Sequence, residues 1–378
     1  MDRLDIDKTR AIELGARYVD SQWKSVNENE VELSVMSGGF SSRLYVLEDI
    51  SSSTSNQTKK FLIRLYGGKL VNEDDPFKQD RCEVNETLVF YAISLAGLGP
   101  RLYGSFDGGR VEEFVPSHVL REKDYEQRPE TVLELARKLA RFHALNLPIS
   151  KERNPILEAC EHHLQNRDLE KFRKVAEHVG MTNISDFENF DVKSEINWLK
   201  KLESSVGGRI VTTIGDINKN NILILDKSDK LGERVMIIDY EGVSMDFRGR
   251  DIGQIFLMKI VENNDGKLCR SCDYPDEAWR RKFITEYLKE TKSLNNFMWN
   301  ENLDTLEHLV METEFFMFHS IHVILGFLLN QGDDSFFYKM ETDKAMSFLT
   351  MGLFFIEVYR QRKTIFVQTY AKQLNLSE

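Results

Sequence analysis

The chain has 378 residues, 41% of them hydrophobic and 29% charged, with a formal net charge of −11 at pH 7. This composition excludes a disordered chain, and the length suffices for two lobes with separate hydrophobic cores. The acidic balance argues against nucleic acid as a partner, because binding to a phosphate backbone needs basic surfaces.

The start of the chain and its apolar stretches indicate where in the cell the protein is expected. The sequence begins Met-Asp-Arg-Leu-Asp-Ile-Asp-Lys and lacks the apolar run of a signal peptide, so we expect a cytoplasmic protein. The longest apolar stretches, Val323–Leu329 and Phe348–Ile356, fall short of the roughly 18 residues that a membrane span requires. They predict buried helices and no membrane span.

Residues 1–116 carry the signals of a small, strand-rich lobe. Between two of its apolar segments, a glycine-containing turn can present backbone N–H groups and hydroxyls to a phosphate. The turn consists of Ser37, Gly38, Gly39, Phe40, Ser41 and Ser42. Further on, Arg64 lies in the apolar strand Phe61–Tyr66, where an inward-facing charge is costly unless an anion pairs with it. We expect such an anion; a solvated arginine on an edge strand is the alternative.

Residues 117–378 are dominated by helical periodicity. The clearest predicted helices are Pro129–Leu145, Glu170–Val179, Trp279–Thr291 and Leu303–Leu329. His143, near the end of the first, is expected to be a buried structural histidine. The predicted fold class is therefore α+β, with a β-rich N-terminal lobe of residues 1–116 and a larger, mainly helical C-terminal lobe of residues 117–378.

A β-hairpin is predicted within the helical lobe. The apolar runs Ile222–Leu225 and Val235–Ile238 are short, rich in β-branched residues and joined by a polar, turn-prone segment. Asp216 and Asn221 lie on the loop that enters the first strand, and Asp239 directly follows the second strand. The two strands of a hairpin run in opposite directions, so we expect these three side chains to meet at one end of it.

Two carboxylates and an amide at one point suit phosphoryl transfer. In that reaction a carboxylate accepts the proton of the attacking hydroxyl, while Asn and Asp oxygens hold Mg²⁺ against the phosphates. Asp216 fits the first role, and Asn221 and Asp239 fit the second. Asp and Asn are also common turn formers through their own side-chain hydrogen bonds, and the spacing alone leaves both interpretations open.

Further segments decide in favour of the catalytic interpretation, because they occur in the order found in one family. These segments are Ser37–Ser42, Phe61–Gly67, Asn85–Phe90, Leu98–Gly104, Gly109–Pro116, Arg141–Leu145, Asp239–Glu241 and Phe247–Gly253. From about Val35 to Lys363 the chain resembles the choline/ethanolamine kinases, which are small-molecule kinases that share the protein-kinase core. The resemblance implies a bilobal protein-kinase-like fold.

The resemblance also implies an activity and a set of roles. The activity is ATP-dependent phosphorylation of the hydroxyl of choline or ethanolamine, the first step of phosphatidylcholine or phosphatidylethanolamine synthesis. Asp216 would be the catalytic base, and Asn221 and Asp239 would bind Mg²⁺. Arg64 would hold the nucleotide phosphates and pair with Glu86, as in the strand-to-helix ion pair of protein kinases. Homodimers are common in this family.

The implied ATP site extends to the segment between the lobes. There Glu113, Phe114 and Val115 resemble the family's hinge, whose backbone groups would face adenine. Together with the glycine-containing turn, Arg64 and Glu86, they complete the ATP-binding set.

The sequence departs from the family pattern beside the base and around the substrate's cationic group. Ile214 stands where the family usually has histidine, and Gly242 replaces an aromatic residue. The stretch Gln254–Lys259 lacks the family's Glu-Trp pair, and Phe316–Ile321 lacks its paired tryptophans. A quaternary ammonium is bound by aromatic faces and a nearby negative charge, and both are reduced here.

Candidate substitutes are present in the sequence. The candidate substrate-binding residues are Tyr240, Glu241, Phe316 and Phe318, with Glu262 and Glu314 as further anions. For each aromatic residue the alternative is a place in an ordinary helix core.

Two other functions remain open from the sequence. One is a nucleotide-binding regulatory protein with little catalysis, suggested by Ile214, Gly242 and Met258. The other is a kinase for a different amino alcohol. Cys269 and Cys272 have metal-ligand spacing, but no second Cys-x-x-Cys exists, and we assign no zinc site.

Overall fold

The computed structural model describes residues 5–36, 42–51, 58–67, 83–154, 156–165, 168–295, 298–330 and 336–375. The N-terminal part contains α1 (Lys8–Leu14), β1 (Val31–Met36), β2 (Ser42–Asp49), β3 (Lys60–Tyr66), α2 (Glu83–Leu95), β4 (Leu102–Phe106) and β5 (Gly109–Glu113). The described strands form one antiparallel sheet in the order β1-β2-β3-β5-β4. This sheet is the predicted β-rich lobe.

The remaining elements are mostly helical. They are β6 (Ser117–Val119), α3 (Glu122–Gln127), α4 (Glu130–His143), α5 (Ile156–Gln165), α6 (Leu169–His178), α7 (Ser185–Glu188), α8 (Val192–Val206), β7 (Ile210–Thr213), β8 (Ile222–Leu225), β9 (Val235–Ile237), β10 (Ser244–Phe247), α9 (Arg248–Lys259), β11 (Val261–Asn264), β12 (Lys267–Arg270), α10 (Glu277–Ser293), α11 (Leu306–Asn330), α12 (Phe336–Lys339) and α13 (Thr342–Tyr370). The predicted α+β class, with a small β-rich lobe and a larger helical lobe, is confirmed.

Side-chain alternation in β3 decides which way Arg64 points. Phe61, Ile63 and Leu65 face the core of the small lobe, where Trp23 is also fully buried. Successive side chains of a strand point to opposite faces, so Arg64 lies on the other face of the sheet. The arginine therefore faces away from the apolar core of its lobe.

The predicted hairpin is confirmed as β8 and β9. The strands pair antiparallel, with Ile222 opposite Ile237 and Ile224 opposite Val235. These side chains are buried in one hydrophobic cluster with Leu135 and other residues of α4. Burial of the hairpin against α4 fixes the end of the hairpin that carries the candidate site.

Among the described residues, one helical segment is long and apolar enough to cross a membrane, Leu306–Leu329 of α11. In the most apolar part of this segment, 83% is buried inside the protein. Phe315 and Ile321, near its middle, have no exposed surface. A helix that is apolar all round and enclosed by other helices is a core helix, which agrees with the expectation of buried helices.

The turn of the hairpin is anchored to α4 by buried charges. The carboxylate of Glu233 accepts hydrogen bonds from Arg137 Nε at 2.6 Å and Arg141 Nη1 at 2.7 Å. Lys138 Nζ lies 3.3 Å from the same carboxylate and also pairs with Asp229. Burial alone would raise the pKa of Glu233, but these cations outweigh it and lower the pKa.

We expect this cluster to make stability depend on pH. A carboxyl whose pKa is lowered on folding stabilises the protein above its ordinary pKa, about 4.3, and this contribution disappears as the pH falls through the lowered value. Glu233→Gln should therefore reduce the loss of unfolding free energy on acidification below about pH 4.3, measured by urea denaturation. An unchanged pH dependence would contradict the role. Glu152→Gln, at an exposed glutamate with no ion pair among the described residues, is the control.

Candidate active site

The catalytic loop between β7 and β8 begins at a close approach of two backbones. Gly215 has a φ of 86°, and a Cβ there would lie 2.3 Å from the carbonyl oxygen of Gly242. A Cβ on Gly242 would in turn lie 2.9 Å from the carbonyl oxygen of Ile214. Any side chain at either position would force the two segments apart. Gly242, a departure from the family pattern, therefore has a structural reason.

The start of the loop is held by the first turns of α9. Asp251 accepts hydrogen bonds from the backbone N–H of Ile214 at 2.7 Å and of Gly215 at 3.1 Å. Arg250 Nη2 donates to the Gly215 carbonyl at 2.7 Å. His143 Nε2 lies 3.2 Å from the Asp251 carboxylate. These contacts fix the backbone beside Asp216, while the Ile214 side chain is fully buried.

Asp216 has one oxygen engaged and one available. Asn218 Nδ2 and Gln254 Nε2 donate to Oδ1, at 3.2 and 3.3 Å. Within the described parts of the chain, Oδ2 accepts no hydrogen bond. The side chain remains accessible to solvent, yet protein atoms crowd it on its other sides. This crowding and the charge of Glu241 raise the pKa of Asp216, against the opposing effects of the two amides and Arg250.

The structure brings Asn221 and Asp239 to the same place as Asp216. Asn221 Nδ2 donates to the Asp216 carbonyl at 2.9 Å, and the Ile238 N–H donates to the Asn221 carbonyl at 2.9 Å. Asp239 has a φ of 65°, an unusual conformation for a residue other than glycine. Such conformations cluster at functional sites, where surrounding structure maintains them.

Negative charge accumulates around Asp239. Burial raises its pKa to about 6; Arg64 opposes the increase, and the carboxylates of Glu241, Asp216 and Glu86 add to it. A raised pKa means that the ionised form lacks compensation from the protein alone. A cation bound beside Asp239 would stabilise its ionised carboxylate.

On the small-lobe side, the expected pair of Arg64 with Glu86 is not the one formed. Arg64 Nε lies 3.1 Å from Glu112 Oε1, and its Nη1 donates to Ser42 Oγ at 2.8 Å. Glu86 of α2 pairs instead with Arg110 of β5, at 2.7 Å. The register of the sheet explains this pairing, because it sets Arg110 directly opposite Arg64 on the neighbouring strand. The two cations share Glu112, and Arg110 is the nearer one to α2.

Arg110 is a residue that sequence reasoning missed. Its guanidinium lies 4.2 Å from the ring centre of Phe90 on α2 and 2.9 Å from Glu112. Arg110 and Glu112 lie on either side of the buried Val111 in β5, so both face the side of the sheet that carries Arg64. That alternation was a signal in the sequence, but only the strand register connects it to Arg64.

The other ATP-site residues are placed as follows. Ser42 begins β2, whereas Ser37 to Ser41 lie outside the described residues. Glu113 ends β5, and its backbone N–H donates to the Arg101 carbonyl at 2.9 Å. Phe114 and Val115 lie in the link to β6; Lys60 Nζ is 4.3 Å from the Phe114 ring centre, and Ser117 donates to the Val115 carbonyl at 2.8 Å. The link therefore joins the two lobes beside β3.

The aromatic candidates for substrate binding lie in the cores. Tyr240 is 5% exposed, and its hydroxyl donates to the Ile237 carbonyl at 2.5 Å. Phe316 and Phe318 have no exposed surface, and Phe316 stacks on Phe247 at 4.4 Å between ring centres. The aromatic faces of these three residues contact other core side chains and are not exposed to a ligand. Of the four candidates, Glu241 acts electrostatically on both Asp216 and Asp239.

The two further candidate anions are already paired with cations. Glu262 Oε2 lies 2.9 Å from Lys219 Nζ. Glu314 accepts from Arg362 at 2.6 Å and also pairs with Arg280. Both carboxylates thus have a structural partner in this fold.

Comparisons with known proteins identify the family of the chain. The family model for choline/ethanolamine kinase matches residues 33–335. Human choline/ethanolamine kinase is 29% identical over 310 residues, which cover 80% of this chain and 74% of the human protein. A probable ethanolamine kinase of Arabidopsis thaliana is 26% identical over 75% of this chain and 69% of its own length.

Solved structures show the same fold. Choline kinase of Cryptosporidium parvum superposes with a TM-score of 0.64 at 19% identity, covering 98% of this chain and 99% of that one. Ethanolamine kinase of Plasmodium vivax gives a TM-score of 0.55 at 19% identity, covering 96% and 100%. The predicted protein-kinase-like fold is confirmed by these neighbours. Since the family model covers most of the sequence, this chain belongs to the choline/ethanolamine kinase family.

Proposed function

We propose that this protein transfers the γ-phosphoryl group of ATP to the hydroxyl of choline or ethanolamine. The product would be phosphocholine or phosphoethanolamine, and the reaction would begin phosphatidylcholine or phosphatidylethanolamine synthesis. The observation that carries the proposal is Asp216 itself. One of its oxygens is engaged, the other is available, and it lies beside Asn221 and Asp239 in a chain of this family.

The chemistry assigned to Asp216 is general base catalysis. As the acceptor oxygen bonds to the γ-phosphorus, the bond between that phosphorus and the β–γ bridging oxygen breaks, and ADP leaves. The hydroxyl proton passes to Asp216 Oδ2. The amides of Asn218 and Gln254 keep the carboxylate in one orientation, and this positioning supplies much of the rate in phosphoryl transfer.

The donor set at Asn221 and Asp239 fits Mg²⁺. The Asn221 amide nitrogen is used in a hydrogen bond, which leaves its carbonyl oxygen as the atom able to bind a cation. Asp239 adds a carboxylate in surroundings that carry uncompensated negative charge. Mg²⁺ is commonly held by one or two protein oxygens together with substrate phosphates and water, where it neutralises the phosphate charge.

The small lobe supplies the proposed nucleotide contacts. Arg64 carries a guanidinium that faces away from the apolar core and acts on Asp239 electrostatically. We assign it to the phosphates, together with the turn from Ser37 to Ser42. Adenine would lie against the link formed by Glu113, Phe114 and Val115. The lobes would correspond to residues 1–116 and 117–378.

We expect Asp239→Asn to abolish most of the stabilisation by Mg²⁺ and ATP. The substitution keeps the shape of the side chain but removes the charge that would bind the cation. The readout is the shift in melting temperature with Mg²⁺ and ATP, compared with ATP alone. Asp226→Asn, in the exposed turn of the hairpin, is the matched control and should leave the shift intact. If Asp239→Asn showed the same shift in melting temperature as the unmodified protein, Asp239 would not be a ligand of the metal.

A second candidate keeps the kinase and changes the acceptor to another amino alcohol. It is favoured by the burial of Tyr240, Phe316 and Phe318, which leaves the cationic group without these aromatic walls. ADP release measured with choline, ethanolamine, methylated ethanolamines and aminoglycosides separates the possibilities. Turnover with choline or ethanolamine supports the main proposal, and turnover only with another acceptor supports the second. Stabilisation by ATP without any acceptor-dependent turnover would contradict both.

Two expectations accompany the proposal. We expect the protein to act in the cytoplasm, where ATP and the amino alcohols are available. We also expect a homodimer, by analogy with other kinases of the family. Sedimentation equilibrium of the purified chain tests the second expectation, because a single species at the monomer mass would contradict it.

A further inference from the structure

A buried lysine lies inside the catalytic loop. Lys219 occupies the short 3₁₀ turn Lys219–Asn221, between Asp216 and Asn221, and is 7% exposed. A buried ammonium group is costly unless anions and hydrogen-bond acceptors surround it. Its partners therefore identify the segments of the chain that hold this turn in place.

The partners of Lys219 come from three other segments. Its Nζ lies 2.9 Å from Glu262 Oε2 in β11, 3.3 Å from Glu122 Oε2 in α3 and 3.3 Å from Ser271 Oγ after β12. A second lysine, Lys259 at the end of α9, pairs with the other oxygen of Glu122. Two ammonium groups thus balance two carboxylates, and we call Glu122, Lys219, Lys259 and Glu262 the lysine–glutamate network.

The turn that contains Lys219 also holds the reacting groups. The Asn218 side chain accepts from the Asn220 N–H at 3.0 Å and donates to Asp216 Oδ1 at 3.2 Å. At the other end of the turn, the Asn221 amide donates to the Asp216 carbonyl at 2.9 Å. A displacement of the turn would therefore change the orientation of the base and of the proposed metal ligand together.

We propose that Lys219 is a positioning residue for phosphoryl transfer. Through Glu122 and Glu262 it fixes the separation between the base Asp216 and the metal ligand Asn221. Asp251 holds the beginning of the loop, at Ile214 and Gly215. The network adds an attachment inside the loop, besides the contacts of Gln254 with Asp216 and of Ile238 with Asn221. The inference rests on the proposed function.

The test compares two variants that differ in charge. Lys219→Met keeps the aliphatic stem and removes the ammonium, whereas Lys219→Arg keeps a cation. We expect Lys219→Met to lower kcat by roughly 10- to 100-fold, because small displacements of reacting groups have effects of this size. We also expect it to raise the Mg²⁺ concentration needed for ATP to shift the melting temperature. Lys219→Arg should recover most of both values.

Two controls separate positioning from stability alone. Lys138→Met removes another buried lysine, 4% exposed, which lies on α4 and contacts the turn at the far end of the same hairpin. This variant should lower the melting temperature without changing the Mg²⁺ requirement. The pair Lys219→Met with Glu262→Gln removes both charges and should recover thermal stability but not kcat. For each variant, kcat is measured well below that variant's melting temperature.

Two results would contradict the positioning role of Lys219. If folded Lys219→Met has normal kcat and a normal Mg²⁺ requirement, or if kcat returns with stability in the double variant, Lys219 has no positioning role. If the unmodified protein shows no acceptor-dependent turnover, the proposed function fails. The Mg²⁺ requirement of ATP binding then still decides whether Lys219 orders the Asn221 side of the loop.

Discussion

Replacing Asp216 with alanine should lower turnover by about 10²- to 10⁴-fold, the usual contribution of a general base, while ATP binding should remain near that of the unmodified protein. The physical reason is that its Oδ2 accepts no hydrogen bond within the described parts of the chain, while Asn221 contacts the Asp216 backbone and Asp239 is within its electrostatic reach. No other carboxylate among the described residues shares that position on the loop. Steady-state ADP release gives turnover, and the thermal shift with Mg²⁺ and ATP gives binding.

The isosteric variant Asp216→Asn sharpens this test. It keeps an oxygen that can accept from Asn218 and Gln254 but cannot take the acceptor's proton. We expect a loss of turnover close to that of the alanine variant. Turnover within about twofold of the unmodified protein would remove Asp216 from the catalytic role, since a base contributes far more than this.

Substitution of Asp251 should have the largest effect on stability. This carboxylate is fully buried and accepts hydrogen bonds from Ile214 and Gly215 besides its contact with His143. Burial would raise its pKa, but His143, Arg250 and the backbone outweigh this and lower it. Asp251→Ala leaves several buried groups without a partner and should cost about 2–4 kcal/mol of unfolding free energy.

Asparagine is not a conservative replacement at this position. Its NH₂ group would face one of the two backbone N–H donors, so we expect Asp251→Asn to lose both stability and turnover. Urea denaturation measures the first and ADP release the second. Asp273→Asn, at a carboxylate that is 87% exposed, is the control. A change in unfolding free energy below about 0.5 kcal/mol in Asp251→Asn would contradict the structural role.

The proximity of Asp216, Asn221 and Asp239 could be predicted from the sequence because it depends on local structure. Asp216, Asn221 and Asp239 flank two short strands, and a hairpin brings the entry of one strand to the exit of the other. Recognition of the hairpin was therefore enough to predict that these three residues lie close together. The order of the matching segments then supplied the two-lobed fold.

Contacts between distant segments could not be predicted in this way. The pairing of Glu86 with Arg110 depends on the register that sets Arg64 opposite Arg110. The network around Lys219 joins residues 97 and 43 positions away in sequence. No local pattern indicates which carboxylate will meet such a lysine, because the choice follows from helix and strand packing.

The aromatic residues show the same limit. Phe316 and Phe318 lie at positions of α11 that are enclosed on every side, and Tyr240 is buried between α2 and α4. An apolar helix gives no sequence signal of which face, if any, borders a ligand site. For the substrate's cationic group we retain Glu241 as the proposed anion, because its charge acts on Asp216.

The most direct measurement follows the phosphoryl group itself. ATP labelled with oxygen-18 in its γ-phosphoryl group is incubated with Mg²⁺, the protein and either choline or ethanolamine, and the products are identified by mass spectrometry. We expect the label in phosphocholine or phosphoethanolamine, with formation reduced by about 10²- to 10⁴-fold in Asp216→Asn. Label found only in inorganic phosphate or in unreacted ATP would contradict phosphoryl transfer to an amino alcohol by this site.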